Sequence, residues 1–340
     1  MGSFRWWFTA VLVLAVGVTV NACPPSDRAA LMAFKAALHE PYLGIFESWK
    51  GNDCCSKWYG VTCDPTTKRV ADIALRGESE DPIFSEGEAD RGISGTIPSC
   101  ITTLPFLRHL DLVGNQISGE IPSDIGKLSL LTVLNLADNK ITGRIPRSIA
   151  NLSSLMHLDL RNNLISGTIP INIGKLRMLS RALLSNNQIS GQIPNTISYI
   201  YRLSDLDLSL NRISGPIPEA LGKMKVLATL NLDGNMISGK LPTSLMNSGI
   251  SILNLSKNGI EGSIPNAFGP RSYFMVMDLS YNNLKGPIPE SIASASYVGH
   301  LDLSHNHLCG AIPAGSWFDH LEASSFTYND CLCGKPLRAC

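Results

Sequence analysis

LMHLDLRNNLISGTIPINIGKL, Leu155 to Leu176, is one copy of a recurring stretch. LTVLNLADNKITGRIPRSIANL runs before it, from Leu131 to Leu152, and LSDLDLSLNRISGPIPEALGKM after it, from Leu203 to Met224. One asparagine in each copy keeps register from Asn115 to Asn306, at intervals of 24 residues except one of 23. Each position in the copy has a physical reading. Leu158 and Leu160 alternate with His157, Asp159 and Arg161, the period of a strand with one buried face. Asn163 lies where the chain turns inward, and its carboxamide can pair with backbone of adjacent coils. Gly167 permits a turn that a Cβ would obstruct. Pro170 has no N–H to leave unsatisfied on the far side. Ile173 and Leu176 then close the coil through a short helical or 3₁₀ turn.

A period in the twenties with the pattern LxxLxLxxNxL is the leucine-rich-repeat signature. It predicts an α/β solenoid: a right-handed superhelix with a parallel concave sheet and 3₁₀ or short helices and turns on the convex side. One coil cannot bury its own leucines; stacked coils can, each buried Leu or Ile contributing about 1.5–3 kcal/mol. Nine strands at about 4.8 Å would span about 40 Å. The open ends need lids. At the front, Ser26-Asp27 is expected to cap a helix with Leu31, Phe34 and Leu38 on one face, backed by Trp49 and Trp58. At the back, Trp317, Phe318 and Phe326 are the expected lid. The divisions that follow are 1–22 as an export signal, 23–69 as an N-terminal cap, 70–313 as about ten repeats with an acidic insertion at 76–92, and 314–340 as a C-terminal cap.

The chain has 340 residues and balances 28 Lys+Arg with 28 Asp+Glu. Such neutrality gives no footprint for nucleic acid or an anionic membrane. Arg5 followed by an apolar run from Trp6 to Val20 and the small-residue stretch Val20-Asn21-Ala22 reads as an export signal cleaved before Cys23. About fifteen apolar residues are short for a membrane span. The expected destination is extracellular, in the cell wall, as a monomer with no transmembrane anchor. Eight of the nine cysteines bracket the repeats: Cys23, Cys54, Cys55 and Cys63 before, Cys309, Cys331, Cys333 and Cys340 after. Disulfides in an oxidising compartment explain that placement better than zinc, for which the doublet Cys54-Cys55 aims poorly. Cys100 is left over and is expected as a buried free thiol.

The phrase Gly-x-Ile-Pro, as at Gly95, Gly119, Gly143 and Gly167, resembles the plant-specific leucine-rich repeats, and SWKGNDCCSKWYGVTCD (Ser48 to Asp64) is similar to their N-terminal cap. The resemblance implies pairing of Cys23 with Cys54, Cys55 with Cys63, Cys309 with Cys331 and Cys333 with Cys340. VADIALRGESEDPIFSEGEADRGISG, Val70 to Gly95, is similar to the small secreted plant proteins named for DNA-damage repair and toleration. The polygalacturonase-inhibiting proteins are related, and they block microbial pectinases through the concave face. The export signal and neutral charge argue against direct action on DNA.

The concave column Asp111, Asn135, Asp159, Leu183, Asp207 and onward invites a catalytic reading. A translation-symmetric column gives its members like environments, whereas acid–base catalysis needs unlike ones. No enzyme, catalytic residue, cofactor or metal site is therefore expected, the histidines His300, His305 and His307 included. Residues that differ between coils are the candidates for binding a partner: Arg161, Arg181 and Leu183, with Leu210 and Tyr281 as apolar surface and His157, Asp205, Asp233, Lys257 and His305 as polar variety. The expected partner is a protein, a secreted pectinase or a receptor ectodomain, with a cell-wall polysaccharide or an ice surface as the alternative. The hydroxyl row Ser94, Ser118, Thr142, Ser166, Ser190, Ser214 and Ser238 is what an ice surface would meet. Asn151 and Asn254 stand in glycosylation sequons, the second on the concave face. The acidic insertion reads either as a solvated loop or as a recognition element beside the N-terminal cap.

Overall fold

The computed structural model describes residues 23–40, 44–77, 92–315 and 320–340. The export-signal reading, residues 78–91 of the insertion, and the lid residues Trp317 and Phe318 lie outside the described residues.

The repeats form a solenoid. Its concave sheet has eleven strands among the described residues. Val61–Cys63 pairs antiparallel with Val70–Ala74, and a parallel run continues from His109–Asp111 to Tyr297–Asp302. Register is one-to-one: Arg181 lies opposite both His157 and Asp205. The strand leucines point inward, as their period of two requires, and Leu134, Leu158 and Leu206 are buried.

A second strip of parallel strands was not anticipated. The Ile-Ser-Gly segments pair from coil to coil, as in Ser166–Thr168 with Gln188–Gly191. Three to five residues per coil suffice, because neighbouring coils already hold them in place. Gly167 lies in the middle of such a strand at φ 76°, and a Cβ there would approach Arg144 Cγ to 2.8 Å. The convex side carries one short turn per coil, mostly 3₁₀, such as Ile173–Lys175, where Ile173 N–H donates to Pro170 O at 2.9 Å.

The asparagine ladder locks these coils. Asn163 Nδ2 donates to Leu136, Leu160 and Arg161 carbonyls at 2.9, 3.2 and 3.0 Å, and its Oδ1 accepts Ile141 N–H at 2.9 Å. The ladder runs one rung further than its leucine context suggested. Asn329 makes the same set of bonds to Leu303, Phe326 and Thr327 carbonyls and to Leu308 N–H.

The front lid differs from its expected form. The helix spans Pro25–Ala36, with Pro24 at its N-cap and no side-chain cap. Because it begins at Pro25, Asp27 falls inside its first turn. There the buried carboxylate pairs with Arg69 at 2.6 Å and accepts Val70 N–H at 3.0 Å. It ties the helix to the first coil instead of capping it. Leu38 lies past the helix end, in a two-residue strand. Trp49 stacks on Trp58 with centroids 5.1 Å apart. At the back, Phe326 is fully buried and Cys331–Cys333 pairs with His307–Ala311. The bridges are Cys23–Cys54, Cys55–Cys63, Cys309–Cys331 and Cys333–Cys340. Cys100 is free but only half-buried; desolvation pushes its thiol pKa up.

Candidate functional site: the concave face

The acidic column has a structural cause. Asp159 Oδ1 accepts Arg161 N–H at 3.2 Å, Asp207 accepts Ser209 N–H at 3.0 Å, and Asp278 and Asp302 accept Ser280 and Ser304 N–H at 2.9 Å. Asn254 does the same for Ser256 at 3.1 Å. Each Asp or Asn closes an Asx turn that ends its strand, a job either residue does equally well. At Leu183 the column lacks this acceptor.

The residues expected to bind a partner fall into two groups. His157, Arg181 and Asp205 stand side by side on adjacent strands. Arg181 Nε lies 3.3 Å from Asp205 Oδ2, and Arg161 forks onto Asp159 with contacts of 2.8–3.2 Å. Both guanidiniums are therefore partly neutralised where they stand. Leu183, expected with Arg161 and Arg181 to meet a partner, offers little surface for it: it is only 8% exposed, wedged between the Asp159 and Asp207 positions of its row. The second group lies along the rim where the strands turn. Leu210, Lys257, Tyr281 and His305 each precede a ladder asparagine and each take a left-handed φ of 52–54°. Their common backbone strings them in one file; Leu210 and Tyr281 are half exposed. The His305 ring lies between Tyr281, centroid 3.9 Å away, and Tyr328, 4.2 Å away. Asp233 sits between the groups. Its burial raises its pKa, Lys257 offsets part of that, and Asp207 and Asp278 add to it.

Tyr328 was missed, although Thr-Tyr-Asn at 327–329 repeats the cadence of Ser-Tyr-Asn at 280–282. Also missed was the widening of the sheet at its C-terminal end. Tyr273–Asp278 and Tyr297–Asp302 are six-residue strands, and Tyr273 stacks on Tyr297 at 5.1 Å beside exposed Met275. Earlier coils hold Leu130, Ser154, Met178, Val226 and Gly249 at the place of Tyr273, so the aromatic pair was legible only against an aligned register.

The other candidates are dispersed. His300 lies on a strand, His305 in the ring stack, and His307 against Asp330 at 3.1 Å. The sulfurs of Cys54, Cys55 and Cys63 cluster closely but are consumed by disulfides. The hydroxyl row lies on the second sheet, where Ser118, Ser166 and Ser190 donate to carbonyls of the preceding coil at 3.2 Å. Lys140, Arg212 and Met236 stand exposed in the strands that carry it. Asn151 is exposed on the convex side at the end of Arg147–Asn151. A groove of about 710 Å³ near Ile264, Pro287 and Pro313 lies on the flank, away from the concave strands. No helix among the described residues is long and apolar enough to cross a membrane.

Comparison with known proteins agrees with this geometry. The leucine rich repeat N-terminal domain matches residues 24–64, the leucine-rich repeat region 94–211, and single leucine rich repeats four spans from 202 to 295. The DNA damage-repair/toleration protein DRT100 of Arabidopsis thaliana is 53% identical over 32% of this chain and 36% of its own length. A polygalacturonase inhibitor of Pyrus communis is 34% identical over 32% of this chain and 28% of its own. The matched stretches thus span about a third of these relatives. Among solved structures, a plant ice-binding protein has TM-score 0.76 at 26% identity, covering 94% of this chain and 99% of that one. The PEPR1–AtPEP1 complex has TM-score 0.76 at 29% identity, covering 91% and 46%.

Proposed function

Because the chain belongs to the plant leucine-rich-repeat proteins, we propose that it is a secreted, non-enzymatic binding protein that recognises a protein partner through its concave face, in plant defence or cell-wall signalling. Its most specific form is inhibition of a microbial polygalacturonase. One observation carries the reading. The fold accounts for the leucines, the ladder asparagines and the Asx-turn column, yet His157, Arg181, Asp205, Leu210, Lys257, Tyr281 and His305 stand on one face outside those roles, tied to one another only by the Arg181–Asp205 pair and the Tyr281–His305 stack. Arg and aromatic side chains dominate binding energy at interfaces. Relatives that are inhibitors of an enzyme, and a receptor solved with a peptide, support the same reading.

Reversing Arg161 and Arg181 to Glu should cut capture of the partner from wall extract by about tenfold or more, since loss of a hot-spot residue costs about 2 kcal/mol or more. Capture equal to the parent's would sink the site. A microbial polygalacturonase assayed with the purified protein tests the narrower form; undiminished hydrolysis removes inhibition and leaves the broader reading standing.

A second reading, ice-surface binding, has the near full-length likeness to an ice-binding protein in its favour. The hydroxyl row weakens it, because four of its O–H groups are already spent on backbone carbonyls. Thermal hysteresis separates the two directly.

A further inference from the structure

The flank groove beside the last coils plays no part in the concave reading. Its cause lies in one column of the repeat, the residue between the glycine and the isoleucine of Gly-x-Ile-Pro. Earlier coils carry long side chains there: Glu120, Arg144, Gln192 and Lys240. Their stems lie against the next coil. A Cβ placed on Gly143, Gly167 or Gly215 would come to 2.5, 2.8 or 2.8 Å from Glu120, Arg144 or Gln192. Where a shorter residue stands, as Thr168 or Pro216, a long one flanks it on each side. In the last three coils the column reads Ser263, Pro287, Ala311. A Cβ on Gly286 or Gly310 would find its nearest atom, Ser263 Cβ or Pro287 Cβ, at 3.9 or 3.7 Å. The strip that stems cover elsewhere is therefore open, and a groove of about 710 Å³ crosses these three coils.

The lining is apolar at its base and short of donors in its walls. Ile264, Ile288 and Ile312 are buried beneath it. Pro287, Pro289 and Pro313 line it and have no N–H to offer. Ser291 N–H donates to Asn266 Oδ1 at 3.2 Å, which holds that carboxamide in place. Glu290 is the one charged residue among the described lining residues, and it is exposed. Glu219 holds the same place three coils earlier, directly after an Ile-Pro pair, and its Oε1 accepts Ser244 N–H of the next coil at 3.1 Å. Among the described residues Glu290 makes no such bond and is in no ion pair. Its carboxylate therefore stands unneutralised at the edge of an apolar trough.

We propose that this groove binds a small amine carried on a flat apolar body, an arylalkylamine. The isoleucine base and the proline rings take the ring face, and Glu290 takes the ammonium group. Walls short of N–H donors select against carboxylates and phosphates, whose oxygens would lose water without finding a donor. Size points to a small molecule. Three coils span about 10 Å from first to last at strand spacing, and the volume falls within the range of about 300–1,000 Å³ usual for ligand sites that combine apolar walls with few polar groups. A longer peptide laid along the axis would meet Lys240, whose Cγ lies 3.2 Å from the point a Cβ on Gly262 would occupy and closes the groove toward the earlier coils.

The test is titration of the purified protein with tryptamine, read by ligand-observed NMR. Indole-3-propionate supplies the same ring with a carboxylate, and n-propylamine the amine without a ring. Tryptamine should bind at least about fivefold more tightly than either. Glu290→Gln should weaken tryptamine by about fivefold, the upper range for an exposed ion pair, and erase its lead over indole-3-propionate. Ala311→Gln restores the long stem that earlier coils carry in this column, so the fold has room for it; it should fill the groove and cost at least about fivefold. An unchanged melting temperature shows that each variant is folded. Arg161→Glu with Arg181→Glu, on the concave face, should leave tryptamine binding as it is. The proposal is overturned by absence of tryptamine binding, by parental binding in Glu290→Gln or Ala311→Gln, by equal binding of indole-3-propionate, or by loss of binding in the concave variant. Acetyl-Trp-Lys-amide binding about tenfold more tightly than tryptamine would likewise overturn it, by giving the groove to a protein segment.

Discussion

Asn163 makes four hydrogen bonds with one carboxamide, spanning its own coil and the one before. Alanine in its place strands buried donors and acceptors, at about 1–3 kcal/mol for each group left unpaired. Asn163→Ala should therefore lower the urea midpoint clearly, whereas Lys140→Ala, at an exposed position of the next-door coil, should change it little; equal effects would contradict the ladder's role. Asp233 behaves in the opposite sense. Its pKa is raised, mainly by burial, so the folded state holds its proton more tightly than the unfolded chain. Folding gains from this only at acid pH, and the gain is lost as pH rises from the ordinary carboxylate range through the raised value. Asp233→Asn should stabilise the protein at neutral pH, with the difference vanishing in acid; a melting-temperature series against pH reads it.

Most concave strands are only three residues long, and each is held by its neighbours and not by its own length. Such a stack depends on its end elements. The closing strand Cys331–Cys333 is joined to the last rung by Cys309–Cys331 and carries Asn329 just ahead of it. Removing a disulfide from a cap of this size costs about 2–4 kcal/mol. Because stability in a solenoid is summed over neighbours, Cys331→Ser should open the C-terminal coils first. Hydrogen exchange should rise over 297–340 while 131–227 keep their protection; uniform acceleration along the chain would refute local fraying.

At the scale of the whole molecule, a neutral composition conceals uneven pairing of its charges. Arg161 and Arg181 on the concave face are met by Asp159 and Asp205 and Lys127 on the convex side by Asp124, while among the described residues Lys257 on the concave face and Lys175, Arg177, Lys223 and Lys225 on the convex side are in no ion pair. The two predicted binding surfaces lie apart, one on the concave sheet and one on the flank. The concave one can be damaged by Arg161→Glu and Arg181→Glu, and the flank groove by Ala311→Gln, each without consequence for the other.

The period of 24 and the alternation of leucine determined the solenoid and its curved parallel sheet without help, because a coil repeated in register can bury its apolar edge only against its own kind. The ladder was legible for the same reason, up to the point where its leucine context failed at Asn329. What the tertiary structure alone decided is which side chains meet across coils. The burial of Leu183, the pairing of Asp27 with Arg69, the ring stack around His305 and the flank groove all join residues on different coils or caps. Sequence spacing places such residues in a file, but only the packed backbone fixes which way each one points and what neutralises it.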